Sequence, residues 1–178
     1  MVIRGSLVRL RPRDWSDTDF YTDRVETPEG LGPYMPEPTT DRAEVAREWS
    51  TPSLMEGLLG RKFYVAETLD GRRVGHVEHY VTQPHGQTEI GYAVVPEERG
   101  KGYCTEAVRL LVGHIFGSLR VERIQASTDV RNTASIRVLE KNGFKLEGTL
   151  RHFALNRGEW TDYHRYSILH GEWENRTT

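Results

Sequence analysis

The stretch from Glu89 to Phe116, EIGYAVVPEERGKGYCTEAVRLLVGHIF, decides how the chain is read. Ile90, Tyr92 and Val94 alternate as on a strand, whereas Ala107, Val108, Leu111, Val112, Ile115 and Phe116 recur at helical spacing. Arg99-Gly100-Lys101-Gly102-Tyr103-Cys104 therefore sits where a loop feeds a helix N-terminus. The first N–H groups of a helix have no carbonyl of their own to bond, and they lie at the positive end of its dipole. With Arg99 and Lys101 beside them, that junction suits a pyrophosphate; the plain alternative is an ordinary left-handed glycine turn. Pro96, which has no N–H, makes the strand stop or splay.

Two well-known phosphate loops do not fit. A dinucleotide fingerprint needs a third spaced glycine and an acidic residue roughly 20 residues on. A P-loop places its Lys directly before Ser or Thr, whereas Lys101 lies between two glycines. The second informative run is Arg131–Phe144, RNTASIRVLEKNGF. Asn132 is a preferred N-cap and Asn142-Gly143 a natural left-handed stop, so this is a capped helix arriving one strand after the loop. Together the two runs resemble the GNAT N-acetyltransferase superfamily. Its motif A is Arg or Gln, two residues, Gly, one residue, then Gly or Ala; Arg99, Gly102 and Cys104 take those places. Cys104 departs from the pattern but is small, and close backbone approach to a phosphate mainly requires absence of bulk. N-x-x-S followed by R-V-L-E-K-x-G-F resembles the RimJ/RimL-type branch almost letter for letter. More loosely, the likeness runs from about Ser6 to about Leu169.

The resemblance implies a single GNAT domain over residues 1–178, of α/β (α+β) class. Its mixed, mostly antiparallel sheet would have roughly six or seven strands, splayed at the centre, with about four flanking helices. It implies acetyl-CoA as co-substrate and no metal. Val94, Val95, Arg99, Gly100, Lys101, Gly102, Tyr103, Cys104, Thr105, Asn132, Ser135, Arg137 and Lys141 would hold it. The reaction implied is acetyl transfer to a primary amine, a protein N-terminal α-amine in the RimJ/RimL manner. A small-molecule amine (an antibiotic, a polyamine or an amino-acid conjugate) is the alternative acceptor, and a non-catalytic acyl-CoA sensor is the alternative class.

An ammonium must lose a proton before it can attack, since a Lys amine titrates near about 10.4 and an α-amine near about 7.7 to 8.0. By resemblance Glu89, near the start of the splayed strand, is the first candidate base and Asp129 the second; Glu89 could instead be an edge carboxylate paired with Arg. Backbone N–H groups at Val94 or Val95 would meet the oxyanion. Many GNAT enzymes carry a thiolate-protonating Tyr seven residues after the motif Asn, but that place is Leu139 here. Ser135 is the remaining hydroxyl, and its alternative is a helix N3 residue satisfying nearby backbone.

The rest of the chain reads as one fold of 178 residues without repeats. Leu7–Arg11 reads as a strand, Asp14–Glu26 and Asp41 to about Gly57 as helices, and Thr27–Thr39, rich in Pro and Gly, as neither helix nor central strand. Phe63–Thr68 and Val74–Val81 flank Asp70-Gly71 as a hairpin, and Phe144–Leu150 and Tyr163–Leu169 form a second one through Asn156-Arg157-Gly158. Acceptor residues would lie mainly in Thr27–Thr39 and near Asn156–Trp160; the acidity of Glu26, Glu29, Glu37 and Asp41 suits a cationic acceptor, with ordinary surface solvation as the alternative. Trp15, Trp49, Trp160 and Trp173 are expected in core or interface, Trp160 also beside a substrate cleft, and Glu172–Thr178 as a solvated end.

A net charge of −2 gives no global pull toward nucleic acid or anionic membrane. One cysteine excludes an internal disulfide, and the Met-Val-Ile-Arg start lacks the apolar run of a signal peptide, so a cytoplasmic protein without membrane partners is expected, with a homodimer as one possible assembly. Seven histidines invite a metal, but His76 and His79 on one strand face opposite ways, and none pairs with Cys. No G-x-S-x-G elbow supports a Ser hydrolase.

Overall fold

The structure is a computed structural model in which residues 1–35, 43, 61–82 and 87–177 are described. Strands β1 (Ile3–Arg4), β2 (Val8–Pro12), β3 (Lys62–Thr68), β4 (Arg73–Thr82), β5 (Gln87–Val94), β6 (Arg123–Asp129), β7 (Lys145–Asn156) and β8 (Glu159–Leu169) form one sheet. Their order is β1-β2-β3-β4-β5-β6-β8-β7, and every neighbouring pair is antiparallel except β5 with β6. Among the described residues, the helical runs are α1 (Thr18–Phe20), α2 (Pro28–Leu31), α3 (Tyr103–Ser118), α4 (Thr133–Lys141) and α5 (His170–Thr177).

The expected mixed sheet is present, with eight strands in place of six or seven. The additional strand is β1, whose two residues pair with Arg9 and Leu10 and are too short to show periodicity. Ala107, Val108, Leu111, Val112, Ile115 and Phe116 of α3 are all buried, as their spacing predicts. They pack on one face of the sheet with Val8, Leu10, Tyr64, Val77 and Ile90. A second, smaller cluster of Tyr21, Val25, Phe63 and Val95 forms apart from it.

Three expectations are corrected. Asp14–Glu26 is a 3₁₀ turn (Trp15–Asp17), the short α1 and a π turn (Tyr21–Val25). The π turn closes with Glu26 N–H on the Tyr21 carbonyl at 2.8 Å, and both Tyr21 and Val25 reach the smaller cluster. Within Thr27–Thr39, Pro28–Leu31 is helical because Thr27 caps it, accepting from Gly30 N at 2.9 Å, and proline is favourable at the first helical position. Glu172–Thr177 belongs to α5: Trp173 packs on the core, and Arg176 Nη2 donates to the Lys141 carbonyl at 3.0 Å. Trp15 and Trp160 are exposed at 78% and 60% in the single chain, so neither is a core residue. Apart from Ala43, the expected Asp41–Gly57 helix, Trp49 included, lies outside the described residues, as does Glu37.

Candidate active site

The described pairing of β5 with β6 runs from Gln87–Arg123 to Glu89–Gln125 and stops there. Beyond it β5 stays on β4 as far as Val94, while β6 stays on β8 as far as Asp129. The sheet therefore opens into a fork with Glu89 at its base, the splay that the sequence predicts. At the far end of β5 the chain turns through Pro96–Glu98 and enters α3 by Gly100 and Gly102, whose φ angles are +78° and +85°. Only glycine holds those angles without strain, so both glycines are set by the turn itself. The first described backbone bond of α3 runs from Glu106 N to Gly102 O at 3.1 Å. The N–H groups before it face the loop with no helical acceptor, which is the cradle expected for a diphosphate.

The side chains around the cradle are partly committed elsewhere. Arg99 donates Nε to Val94 O at 3.1 Å and Nη2 to Gly30 O at 2.5 Å and Glu29 O at 3.2 Å. Its guanidinium thus straps the α2 segment to the end of β5. Lys101 Nζ is 2.9 Å from Glu98, which also binds Arg72. Cys104 is half-buried, and burial pushes its thiol up to about 12, so it is a small packing residue rather than a nucleophile. Tyr103 and Cys104 pack on the core edge, and Thr105 O accepts from Asn142 Nδ2 at 3.1 Å, which ties the end of α4 to the start of α3. Arg137 and Lys141 are exposed on α4.

Of the two backbone N–H groups expected to face an oxyanion, Val95 donates to Val74 O at 3.0 Å and is occupied. Donor direction alternates along a strand, so the Val94 N–H points from the other edge of β5 into the fork.

The candidate acid and base groups are divided between the two faces of the sheet. Tyr92 pairs with Val77 and Glu89 with Tyr80; three residues apart on one strand, their side chains project oppositely. Glu89 accepts from Arg165 Nη1 at 2.9 Å, Gln125 Nε2 at 3.1 Å and Ser127 Oγ at 3.3 Å. Asp129, on the same side of β6 as Gln125 and Ser127, is buried and held by Arg131 at 2.9 and 2.7 Å. Burial works against its charge, but the Arg131 hydrogen bonds outweigh that and keep the carboxyl below its ordinary range. Near it Asn156 Nδ2 and Tyr163 OH both donate to Tyr34 O at 3.2 Å, pinning the α2 segment from the hairpin side.

Ser135 lies on the other face, at the start of α4. Asn132 caps that helix through a 3.1 Å bond from Ser135 N, which leaves the Ser135 hydroxyl free of the cap. That hydroxyl is 2.8 Å from Tyr92 OH. Tyr92 was not among the predicted site residues; the available signal was a phenol in the otherwise apolar series Ile90-x-Tyr92-x-Val94. His76 and His79 do take opposite faces, His76 against Tyr21 and Phe63, His79 stacked on Tyr64.

Known proteins resemble this chain in sequence and in fold. "Probable N-acetyltransferase YjcK" of Bacillus subtilis is 45% identical over 80 residues, 45% of this chain and 44% of that one. "Putative ribosomal N-acetyltransferase YdaF" of the same organism is 36% identical over 106 residues, 59% of this chain and 58% of that one. The chain thus spans about half the length of the curated relatives it matches. The solved spermidine N-acetyltransferase of Vibrio cholerae, in complex with CoA and spermine, superposes with a TM-score of 0.85 over 96% of this chain and 100% of that one, at 22% identity, a likeness of fold. The family described as "Acetyltransferase (GNAT) domain" matches residues 7–145. With its forked sheet, its glycine cradle and that match over most of its length, the chain belongs to the GNAT acetyltransferase family.

Proposed function

We propose that this protein is an acetyl-CoA-dependent N-acetyltransferase acting on a primary amine, most directly a protein N-terminal α-amine. The observation that carries the reading is the fork itself, with a diphosphate cradle at one end and candidate base and acid on opposite faces of the opening. Acetyl-CoA supplies an acyl group already activated as a thioester. Gly100 to Thr105 offer backbone N–H groups to its phosphates, and the Val94 N–H faces the fork where negative charge develops on the acyl oxygen. Glu89 takes the amine proton, directly or through water, from the face it shares with Asp129. Ser135 holds its hydroxyl toward the leaving sulfur from the other face. An amine arriving on one face and a thiolate leaving on the other need no rearrangement of the sheet.

Both carboxylates on the amine side are paired with arginines, Glu89 with Arg165 and Asp129 with Arg131, which suits an acceptor with a single amine better than a polycation. Likeness to YdaF, a putative ribosomal N-acetyltransferase, supports a protein acceptor. Likeness at 30% identity over 110 residues to a spermidine N(1)-acetyltransferase of Escherichia coli supports a small amine as the second reading. A panel of N-terminal peptides, polyamines and aminoglycosides, assayed by CoA release, separates the two; no release from any of them while acetyl-CoA binds would favour a sensor.

The cofactor assignment has its own test. Acetyl-CoA at millimolar concentration should raise Tm by mass action, and Gly102→Val should remove that rise. At φ +85° a β-branched residue is strained, while Leu7 Cδ1 at 3.4 Å would be in ordinary contact with a Cβ, so the defect is in loop geometry rather than the core. A folded Gly102→Val protein that binds normally would show the cradle to be misplaced.

A further inference from the structure

Tyr92 is a phenol in a row of apolar side chains. Ile90 and Val94, its neighbours on the same face of β5, are buried, and Tyr92 packs against the same core. Its hydroxyl crosses the fork to stop 2.8 Å from Ser135 Oγ and 3.4 Å from the Ser135 carbonyl oxygen. Phenylalanine would fill this volume without a polar atom to satisfy. Both of its described partners belong to Ser135, and the nearer is the side-chain oxygen that the proposed chemistry sets against the leaving sulfur.

A serine hydroxyl has one hydrogen to give. If Ser135 donates it to Tyr92, nothing is left for the sulfur. If Tyr92 donates, Ser135 Oγ is the acceptor and its own hydrogen is free to turn into the fork. Burial pushes the Tyr92 phenol well above its ordinary value, so it keeps its proton, and with it the capacity to donate, across the working pH range. A half-buried, neutral Tyr92 is then a poor source of protons and a good source of hydrogen bonds.

The geometry points to Tyr92 as a positioning residue: its hydroxyl donates to Ser135 Oγ and so directs the Ser135 hydrogen at the sulfur of bound CoA, stabilising the thiolate as the carbon–sulfur bond breaks. In that step the amine nitrogen forms the new bond to the acetyl carbon, and the electron pair of the carbon–sulfur bond goes to sulfur. The amine proton goes to the base on the opposite face. Neither Tyr92 nor Ser135 gives up its proton; the thiolate is held by a hydrogen bond until it leaves.

This inference rests on acetyl-CoA occupying the fork, and its first test, a titration, does not depend on knowing the acceptor. Thiolate absorbs in the ultraviolet, so the thiol of bound CoA can be titrated by difference spectra against the CoA-free protein. The titration is run on the wild type, Tyr92→Phe, Ser135→Ala and the double variant. A donor pair aimed at sulfur favours the thiolate, so the bound thiol should titrate about one unit higher in each single variant than in the wild type, with no further rise in the double. In turnover, Tyr92→Phe should lower kcat about tenfold with KM for acetyl-CoA nearly unchanged. The same substitution should add nothing in the Ser135→Ala background. Equal thiol titration in wild type and Tyr92→Phe, or losses that simply add, would overturn the pairing. A defect confined to Tm or to acetyl-CoA affinity would make Tyr92 a packing residue and would overturn it too. If CoA binds but no amine is acetylated, the transferase reading fails while the titration still decides on Tyr92; if CoA does not bind, both fall.

Discussion

Glu89 stands where the sheet opens, its carboxylate bonded to Arg165, Gln125 and Ser127. Its neighbours fix its orientation without covering it, since 15% of the side chain remains exposed. A base so placed should matter most when the amine is mostly ammonium. Glu89→Gln should therefore lower kcat/KM by about 10² to 10⁴ at neutral pH, with acetyl-CoA affinity nearly unchanged. The loss should shrink toward high pH as more of the amine is already free. A variant with full activity would move the role to Asp129 or to water. Glu89 and Ser135 could be put forward from sequence because the family resemblance marks their positions. Arg99 was legible as a motif residue but not in its contacts, because its guanidinium bonds carbonyls at Glu29 and Gly30, far away in sequence, which no local spacing can show. Tyr92 was hidden by its own periodicity, which assigns it to the core before its hydroxyl is considered.

The two helices that build the site were readable for different reasons. α3 announces itself by a buried stripe, α4 by its Asn132 cap and by Gly143, at φ +86°, where Phe144 N–H returns to the Leu139 carbonyl at 3.1 Å. The segment from Asp14 to Glu26 was not, because its shape depends on tertiary partners: the buried Asp17 carboxylate is taken by Arg11 at 2.6 Å and Arg73 at 3.0 Å. How α3 is anchored was equally invisible in sequence. Glu106, in its first turn, accepts from Ser6 N at 2.9 Å, Leu7 N at 2.6 Å, Val8 N at 2.7 Å and Ser6 Oγ at 2.5 Å. Burial disfavours this carboxylate, but the bonds from Ser6, Val8 and Leu7 outweigh it and lower the group to about 2. The β1–β2 turn is thereby fastened beside the cradle. Glu106→Ala leaves those backbone donors without their acceptor and should cost about 3 kcal/mol in urea denaturation. It should also weaken acetyl-CoA binding, since the start of α3 loses its support. Unchanged stability would mean that the turn finds other partners.

At the scale of the whole molecule, the sheet separates two packed faces, and each holds a buried histidine whose Nδ1 has no described partner: His76 against Tyr21 and Phe63, His79 against Tyr64. Burial lowers both, His79 to about 4, with Lys62 and His114 adding to the effect. Both are therefore neutral in the fold. The unfolded chain, in which a histidine titrates near about 6.5, binds the proton more readily, so stability rises with pH through this window. It is fully present above about 6.5 and is lost as pH falls toward 4, by about 3 kcal/mol for His79. Glu106 acts lower, since its contribution is present above the ordinary carboxylate value and is lost only as pH falls toward about 2. His79→Phe keeps an aromatic ring on Tyr64 and removes the titration. Comparing urea denaturation at pH 7 and pH 4.5, the fall in stability should be about 2 kcal/mol smaller in His79→Phe than in the wild type. An equal fall in both would show that His79 gains a proton without disturbing the fold, and would leave acid sensitivity to His76 and the carboxylates.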